Sequence, residues 1–390
     1  MDNQVLSSKF EAQYGEAPAL IAHAPGRVNI IGEHTDYNEG FVFPAAINFG
    51  TWVAATKRAD NDIVVTAMDY ENQQNQFSLS DINYDEEQGW ANYVRGVVKV
   101  LKEAIPDFGG ANLLVTGNVP QGAGLSSSAS FEVAILKALS ALYELPLDGV
   151  QAALLGQKAE NTFVGCSCGI MDQLISAMGN EGNAMLLDCQ SLAIEHSPLP
   201  DSHQIVIINS NVKRGLVDSE YNLRREQCEQ GASLLGVSSL REASIEMLEE
   251  AKPHMPDVVY RRARHIITEN ARTLTASQAL KSGDIETVSS AMAQSHVSMR
   301  DDFEITVRPI DYLVEIIGEV LGKSGGVRMT GGGFGGCVVA LAPSDKVEAV
   351  KQIVADKYFA ETGYNADIYV CTAAQGAFAE TSKAHCKNTV

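Results

Sequence analysis

Two carboxylates, an imidazole and a hydroxyl fall within four positions of this chain, as Glu33, His34, Thr35 and Asp36, with Gly32 and Gly40 on either side. Carboxylates accept hydrogen bonds, and a neutral imidazole both donates and accepts. The set therefore suits a polyol, whose hydroxyls do the same. A metal site is the rival chemistry, but it needs further ligands and none sits at a familiar spacing. On pattern alone the simplest reading is a solvated polar turn. Asp172 lies near the start of an apolar-periodic stretch (Ile170, Met171, Leu174, Ile175, Met178), on the side away from those residues. By spacing it is a first-turn acid favoured by the helix dipole. Taken singly, Arg27 reads as a surface strand arginine and Glu160 as an exposed helix acid. Tyr221 reads as a half-buried helix aromatic, and Trp90 as a ring for the core or for a pocket wall. Cys166-Ser167-Cys168 lacks the second cysteine pair that a metal knuckle would need.

Three glycine-rich segments could approach an anion. Gly122-Ala123-Gly124-Leu125-Ser126-Ser127-Ser128 follows a predicted strand and leads into a predicted helix. Glycines let the backbone come close to phosphate, and the helix start offers unpaired N–H groups and the positive end of the dipole. The serines supply hydroxyls for a cap or for Mg²⁺; a glycine turn with a serine cap is the bland alternative. Gly318–Ser324 is one residue short of a Walker A loop and closes an apolar-periodic segment, so it reads as a helix stop at Gly322. Gly331-Gly332-Gly333-Phe334-Gly335-Gly336 is followed by a strand, not by the helix a dinucleotide fold needs. Only 54 residues follow Gly336, and they hold none of the further motifs of a protein kinase. What remains is a glycine loop between two strands.

The elements that would position these groups are short strands at 19–23, 27–31, 41–47, 51–57, 63–67, 113–116 and 204–209. Helices are expected over 90–104, 128–143, 150–163 and 169–178. From 219 to about 299 the chain reads as mostly helical and charged. It ends in a strand–loop–strand–helix–strand pattern over 327–371. Strands and helices segregate more than they alternate, which predicts an α+β fold. The change in texture near 180–200 suggests two domains, 1–195 and 196–390. Hydrophobic residues make up 45% and charged residues 20% of the 390, an ordinary globular balance. The formal charge of 29 − 49 = −20 argues against non-specific nucleic-acid binding. Seven scattered cysteines suggest reduced thiols and a cytoplasmic protein, and no segment reads as a secretory signal or a membrane span. A monomer is favoured.

Residues 25–38, PGRVNIIGEHTDYN, resemble the signature of the galactokinase family, with Ile30 in place of an expected leucine. Gly122–Ser128 and Gly331–Gly336 resemble the second and third motifs of the wider GHMP small-molecule kinase superfamily. All three occur in the family order, and the likeness runs over nearly the whole chain. The resemblance implies two α+β domains with the active site in the cleft between them. It implies ATP and Mg²⁺, and phosphorylation of α-D-galactose at the C1 hydroxyl. Residue by residue it implies sugar contacts from Glu33, His34, Thr35, Asp36, Gly169 and Tyr221. The ATP phosphates would lie along Gly122, Ala123, Gly124, Leu125, Ser126, Ser127 and Ser128. Ser128 and Glu160 would be Mg²⁺ ligands, Asp172 the catalytic base and Arg27 its electrostatic partner. An N-acetylgalactosamine kinase and a catalytically silent sugar sensor share the resemblance. The intact serine loop and Asp172 favour an enzyme. Mevalonate and homoserine kinases would not need Glu33–Asp36.

Overall fold

The computed structural model describes residues 1–120, 122–212 and 217–379, so Gln121 of the glycine loop and the last eleven residues lie outside it. The first half of the chain runs α1 (Asn3–Tyr14), β1 (Leu20–Ile31), β2 (Phe41–Lys57), β3 (Asp62–Ala67), β4 (Gln73–Ser78), α2 (Ala91–Ala104) and β5 (Ala111–Gly117). It continues through α3 (Ser127–Tyr143), α4 (Gly149–Ala159), α5 (Met171–Met178), β6 (Asn183–Asp188) and β7 (Ile194–Pro198). These strands form a seven-stranded mixed sheet ordered β4-β3-β5-β2-β6-β7, with β1 paired to β2. The second half runs β8 (His203–Asn209), α6 (Val217–Leu235), α7 (Ile245–Ala251), α8 (Asp257–Ser282), α9 (Ile285–Asp301) and α10 (Arg308–Leu321). It ends with β9 (Gly326–Thr330), β10 (Cys337–Pro343), α11 (Val347–Thr362) and β11 (Asp367–Cys371). Its four-stranded antiparallel sheet has the order β11-β8-β10-β9. The fold is α+β.

Three large apolar cores hold these layers, and a small fourth seats Leu6 and Phe10 of α1 on Ala54 and Leu114. One lies under the first sheet, between it and α2–α5. A second lies between the β8–β11 sheet and the helices α6–α8, α10 and α11. The third joins the halves: Val28, Ile30, Phe43 and Ile47 of the first sheet meet Ile205, Ile207, Val339 and Leu341 of the second. Truncating any of these fully buried isoleucines to alanine would cost about 2–5 kcal/mol, so the seam is a packed interior. The expected division at 195/196 falls inside β7, which pairs with β6. We propose that the division lies at 199–202, between β7 and β8.

Several elements differ from their sequence expectations in ways that matter for the site. The strands expected at 19–23 and 27–31 are one strand, β1, and Pro25-Gly26 is an irregularity within it. Proline and glycine are tolerated in strands at bulges, and a bulge re-aims the next side chain, here Arg27. Gly26 is required there, because a Cβ would sit 2.8 Å from the Leu125 carbonyl oxygen of the glycine loop. The helix expected over 150–163 ends as α4 at Ala159, and Glu160–Val164 forms a π turn. Such turns recur at functional sites because they rotate side chains off the regular helical face. As read from the sequence, α10 stops at Leu321 with Gly322 at its C-cap.

Candidate active site

A single cavity of about 600 Å³ is lined by Arg27, Glu33, His34, Asp36, Gly122, Gly124–Ser128, Glu160, Gly169, Asp172, Tyr221 and the Gly331-Gly332 backbone. At its centre Arg27 and Asp172 form a forked ion pair, Nε to Oδ1 and Nη2 to Oδ2, each 2.7 Å. The third guanidinium nitrogen, Nη1, donates to the Gly124 carbonyl at 2.6 Å, so one arginine ties β1, the glycine loop and α5 together. Ser126, in a left-handed conformation (φ 59°), donates its hydroxyl to Asp172 Oδ2 at 2.5 Å. Arg27 is buried, whereas Asp172 is half-buried and faces the cavity.

The glycine loop reverses through positive φ at Gly122 (71°) and Gly124 (74°) before entering α3. The Ser126 side chain turns to Asp172 and does not cap the helix, which leaves first-turn N–H groups of α3 open to the cavity. That is the arrangement that receives a phosphate. A neighbouring cavity of about 500 Å³ shares Tyr93, Gly122, Ser127 and Ser128 with the first. Trp90 lines it, stacked 6.2 Å from Tyr70, and also packs on the first core.

The loop after β1 supplies the acids and the imidazole. Glu33 pairs with Arg328 of β9, a guanidinium buried without exposure, which also donates to the Asn29 and Ile30 carbonyls. Burial pushes the Glu33 carboxyl up to about 7 against the pull of Arg328 and Arg27. Burial, and then repulsion from Asp172, raises Asp36 to about 6. Asp36 rests against Gly169, where a Cβ would come within 2.0 Å of its Oδ2, so only glycine fits. Burial and the nearby His265 lower His34 to about 3, which makes it a neutral imidazole and a poor base. Its Nδ1 lies 2.8 Å from the Tyr37 hydroxyl. Its Nε2, close to the Gly332 backbone, meets no partner in hydrogen-bonding geometry. The Tyr221 ring of α6 lies tilted beside it, with ring centroids 5.1 Å apart.

The side chains of two expected contact residues do not line the cavity. Thr35 is fully buried, and its hydroxyl donates to the Phe41 carbonyl at 2.6 Å and to the Gly32 carbonyl at 3.1 Å. It closes the loop and does not line the cavity. Ala123 turns its side chain into the core, leaving only its backbone for a ligand. Sequence reasoning missed Glu132, Gln173 and Arg328. Gln173 Nε2 bridges Glu160 Oε2 at 2.7 Å and Glu132 Oε2 at 3.0 Å. Glu132 lies inside an apolar helix, and a lone buried acid there was the available signal. Burial raises both acids; repulsion from Glu160 raises Glu132 next, repulsion from Asp172 raises Glu160 next, and Glu132 Oε1 has no partner. Excess buried negative charge with an open oxygen is suited to a divalent cation, and Ser128 and Glu160 are hard oxygen donors. No group of three or more metal-type side chains occurs among the described residues, so phosphate oxygens and water would complete the coordination.

Comparison with known proteins adds three family matches in chain order. These are the galactokinase galactose-binding signature over residues 8–57, the GHMP kinases N terminal domain over 92–180 and the GHMP kinases C terminal over 276–360. A crystal structure of Lactococcus lactis galactokinase complexed with galactose is 35% identical, covers 96% of this chain and 98% of its own, and superposes with a TM-score of 0.91. The chain belongs to the galactokinase family. Mevalonate kinase from Methanococcus jannaschii (17% identical, 91% and 98% covered, TM-score 0.63) shares the fold. So does phosphomevalonate kinase from Streptococcus pneumoniae (12%, 90% and 99%, TM-score 0.62). In this galactokinase-family chain the signature spans β1, the acid-bearing loop and β2, and the N-terminal kinase domain carries the glycine loop, Glu160 and Asp172. The chain is thus an ATP-dependent kinase. No described helix is long and apolar enough to cross a membrane.

The raised acids make a pH test possible. A carboxylate serves as a hydrogen-bond acceptor for a sugar only when deprotonated, and raising its pKa moves the loss of that form toward neutrality. With Asp36 near 6 and Glu33 near 7, kcat/KM for the sugar should hold on the alkaline side and fall as pH drops from 7 through 6. Ordinary carboxylates would hold it flat down to about pH 4.5. A pH–rate profile under saturating ATP checks this, and a profile flat to pH 5 contradicts it.

Proposed function

We propose that this enzyme transfers the γ-phosphoryl group of ATP to the C1 hydroxyl of α-D-galactose, giving galactose 1-phosphate and ADP. The observation that carries the reading is the placement of the Arg27–Asp172–Ser126 constellation. It lies in one cavity between the acid-and-imidazole loop and the N-terminus of α3. Glu33, Asp36 and His34 orient the sugar hydroxyls, with Tyr221 against its face. The Gly122–Ser128 backbone and the α3 N–H groups receive the phosphates.

Asp172 Oδ takes the proton of the C1 hydroxyl as that oxygen bonds to the γ-phosphorus. The bond from phosphorus to the β,γ-bridging oxygen breaks, its electron pair leaves with ADP, and the proton passes on from Asp172 to solvent. Phosphoryl transfer draws mainly on positioning and charge stabilisation. Arg27 supplies positive charge beside the reacting oxygens and fixes Asp172 by both of its own. Ser128 and Glu160 would hold Mg²⁺, which when bound neutralises the β- and γ-phosphate oxygens. The thiols of Cys168, Cys189, Cys228 and Cys371, none of them in a disulfide, support a cytoplasmic location, where ATP is supplied.

Three measurements test this reading. A coupled ADP-release assay over a hexose panel should show turnover of galactose and at least ~10²-fold lower kcat/KM for glucose, since an unmade hydrogen bond leaves buried polar groups unpaired. Equal use of both sugars contradicts the assignment. Ser128→Ala and Glu160→Ala should raise the Mg²⁺ concentration needed for half-maximal rate and leave the galactose KM within about twofold, because they weaken only the cation site. Unchanged Mg²⁺ dependence in both removes them as ligands. Asp172→Asn should still bind galactose and ATP within about tenfold while turnover falls at least ~10²-fold, the usual worth of a general base. An Asn variant that melts lower yet turns over normally would leave Asp172 as a helix-capping residue.

A further inference from the structure

The loop that carries Glu33, His34 and Asp36 holds a conformation the chain does not favour by itself. Gly32 has φ 95° and His34 has φ 63°, and a non-glycine residue in the left-handed region persists only where its surroundings enforce it. The enforcement comes from the second half of the chain, along one face of α8. Glu269 Oε1 accepts the backbone N–H of Gly32 at 3.0 Å and of Glu33 at 3.2 Å. One turn earlier, His265 Nε2 lies 3.1 Å from the Glu33 carbonyl. The adjacent Asn270 Oδ1 accepts the Phe41 N–H at 2.8 Å, where the loop re-enters β2. A Cβ on Gly32 would stand 2.8 Å from the Val42 Cα and 3.1 Å from Thr273 Oγ1, so the loop lies flush against the helix.

Glu269 is the charged member of this face and is wholly buried. Beyond the two loop N–H groups, its Oε1 accepts the Ser295 hydroxyl at 2.7 Å and its Oε2 accepts Arg272 Nε at 2.8 Å. A buried carboxylate fully supplied with donors is a rigid acceptor. We propose that Glu269 is a positioning residue for the sugar site. By fixing the Gly32–Glu33 backbone across the seam between the two halves, it sets where the Glu33 carboxylate and the His34 ring meet the sugar. It touches neither the cavity nor the phosphates, so its influence should fall on sugar binding and leave nucleotide binding alone. Burial would by itself raise its pKa, but Arg272, His265 and Arg328 outweigh that and hold it at about 2. It therefore stays charged throughout the working range.

The inference rests on the proposed sugar kinase activity, and the test separates the two. Wild-type enzyme is first assayed with galactose and the hexose panel. No turnover of galactose overturns the functional reading, and the variants are then compared on whichever hexose the enzyme uses. Glu269→Gln removes the charge. Glu269→Asp keeps the charge for Arg272 but shortens the reach to the loop. Each is compared with wild type by sugar KM and ATP KM, sugar Kd by calorimetry, and melting temperature. Both variants should raise sugar KM and Kd by about tenfold or more with ATP KM held within about twofold, the pattern of lost substrate binding. Should Glu269→Gln not fold, Glu269→Asp carries the test, because it retains the buried ion pair. A variant that melts lower but keeps the wild-type ratio of sugar KM to ATP KM makes Glu269 a purely structural anchor and overturns the proposal.

Discussion

The site is organised by one buried guanidinium. Arg27 uses all three nitrogens: two on Asp172 and one on the Gly124 carbonyl. A forked arginine–carboxylate pair fixes orientation as well as distance. Removing the half-buried Asp172 carboxylate would strand the buried Arg27 charge, at a cost below the ~3–5 kcal/mol of breaking a fully buried pair. Strand, glycine loop and helix are therefore tied together at Arg27. The bulge at Pro25-Gly26 aims the arginine, and the missing Cβ at Gly26 lets the loop settle against it. Ser126 completes the arrangement by giving its hydroxyl to Asp172 and leaving the α3 N-terminus open.

Around that pair the cavity gathers more acid than it can neutralise. Glu33, Asp36, Glu132 and Glu160 are all raised by burial, and all but Glu33 are raised next by a neighbouring carboxylate. Such clustering is unfavourable in the free protein and becomes favourable when ligands bring donors and positive charge. Sugar hydroxyls would supply the donors on one side of Asp172 and a metal ion the charge on the other. The second half of the chain contributes chiefly as a frame. Arg328, His265, Glu269 and Asn270 hold the acid-bearing loop, and the glycine hairpin between β9 and β10 brings its backbone beside Tyr221.

Much of this was legible in the sequence because the motifs are local. Glu33–Asp36, Gly122–Ser128 and Gly331–Gly336 each lie within a few residues, and all three reach the cavity. The α+β class followed from the segregation of strands and helices. Other features depend on distance along the chain and left no local trace. Arg27 and Asp172 are 145 residues apart, and Glu33 and Arg328 are 295 apart. Asp172 by spacing alone was a helix cap. Thr35 shared its neighbours' polarity, yet turns inward to tie off the loop. Polar elements were also missed: α1 buries only Leu6 and Phe10, and β4 reads QQNQFS with alternate residues exposed.

Arg27 and Asp172 should act as one unit on the transferring phosphoryl group. A double-mutant cycle of Arg27→Ala and Asp172→Asn measures this directly through kcat for galactose at saturating MgATP. If the two residues work through each other, the double variant should fall within about tenfold of the slower single variant, since the second change has little left to remove. If the losses in the two single variants multiply in full in the double variant, the residues act independently and the account built on their pairing is wrong.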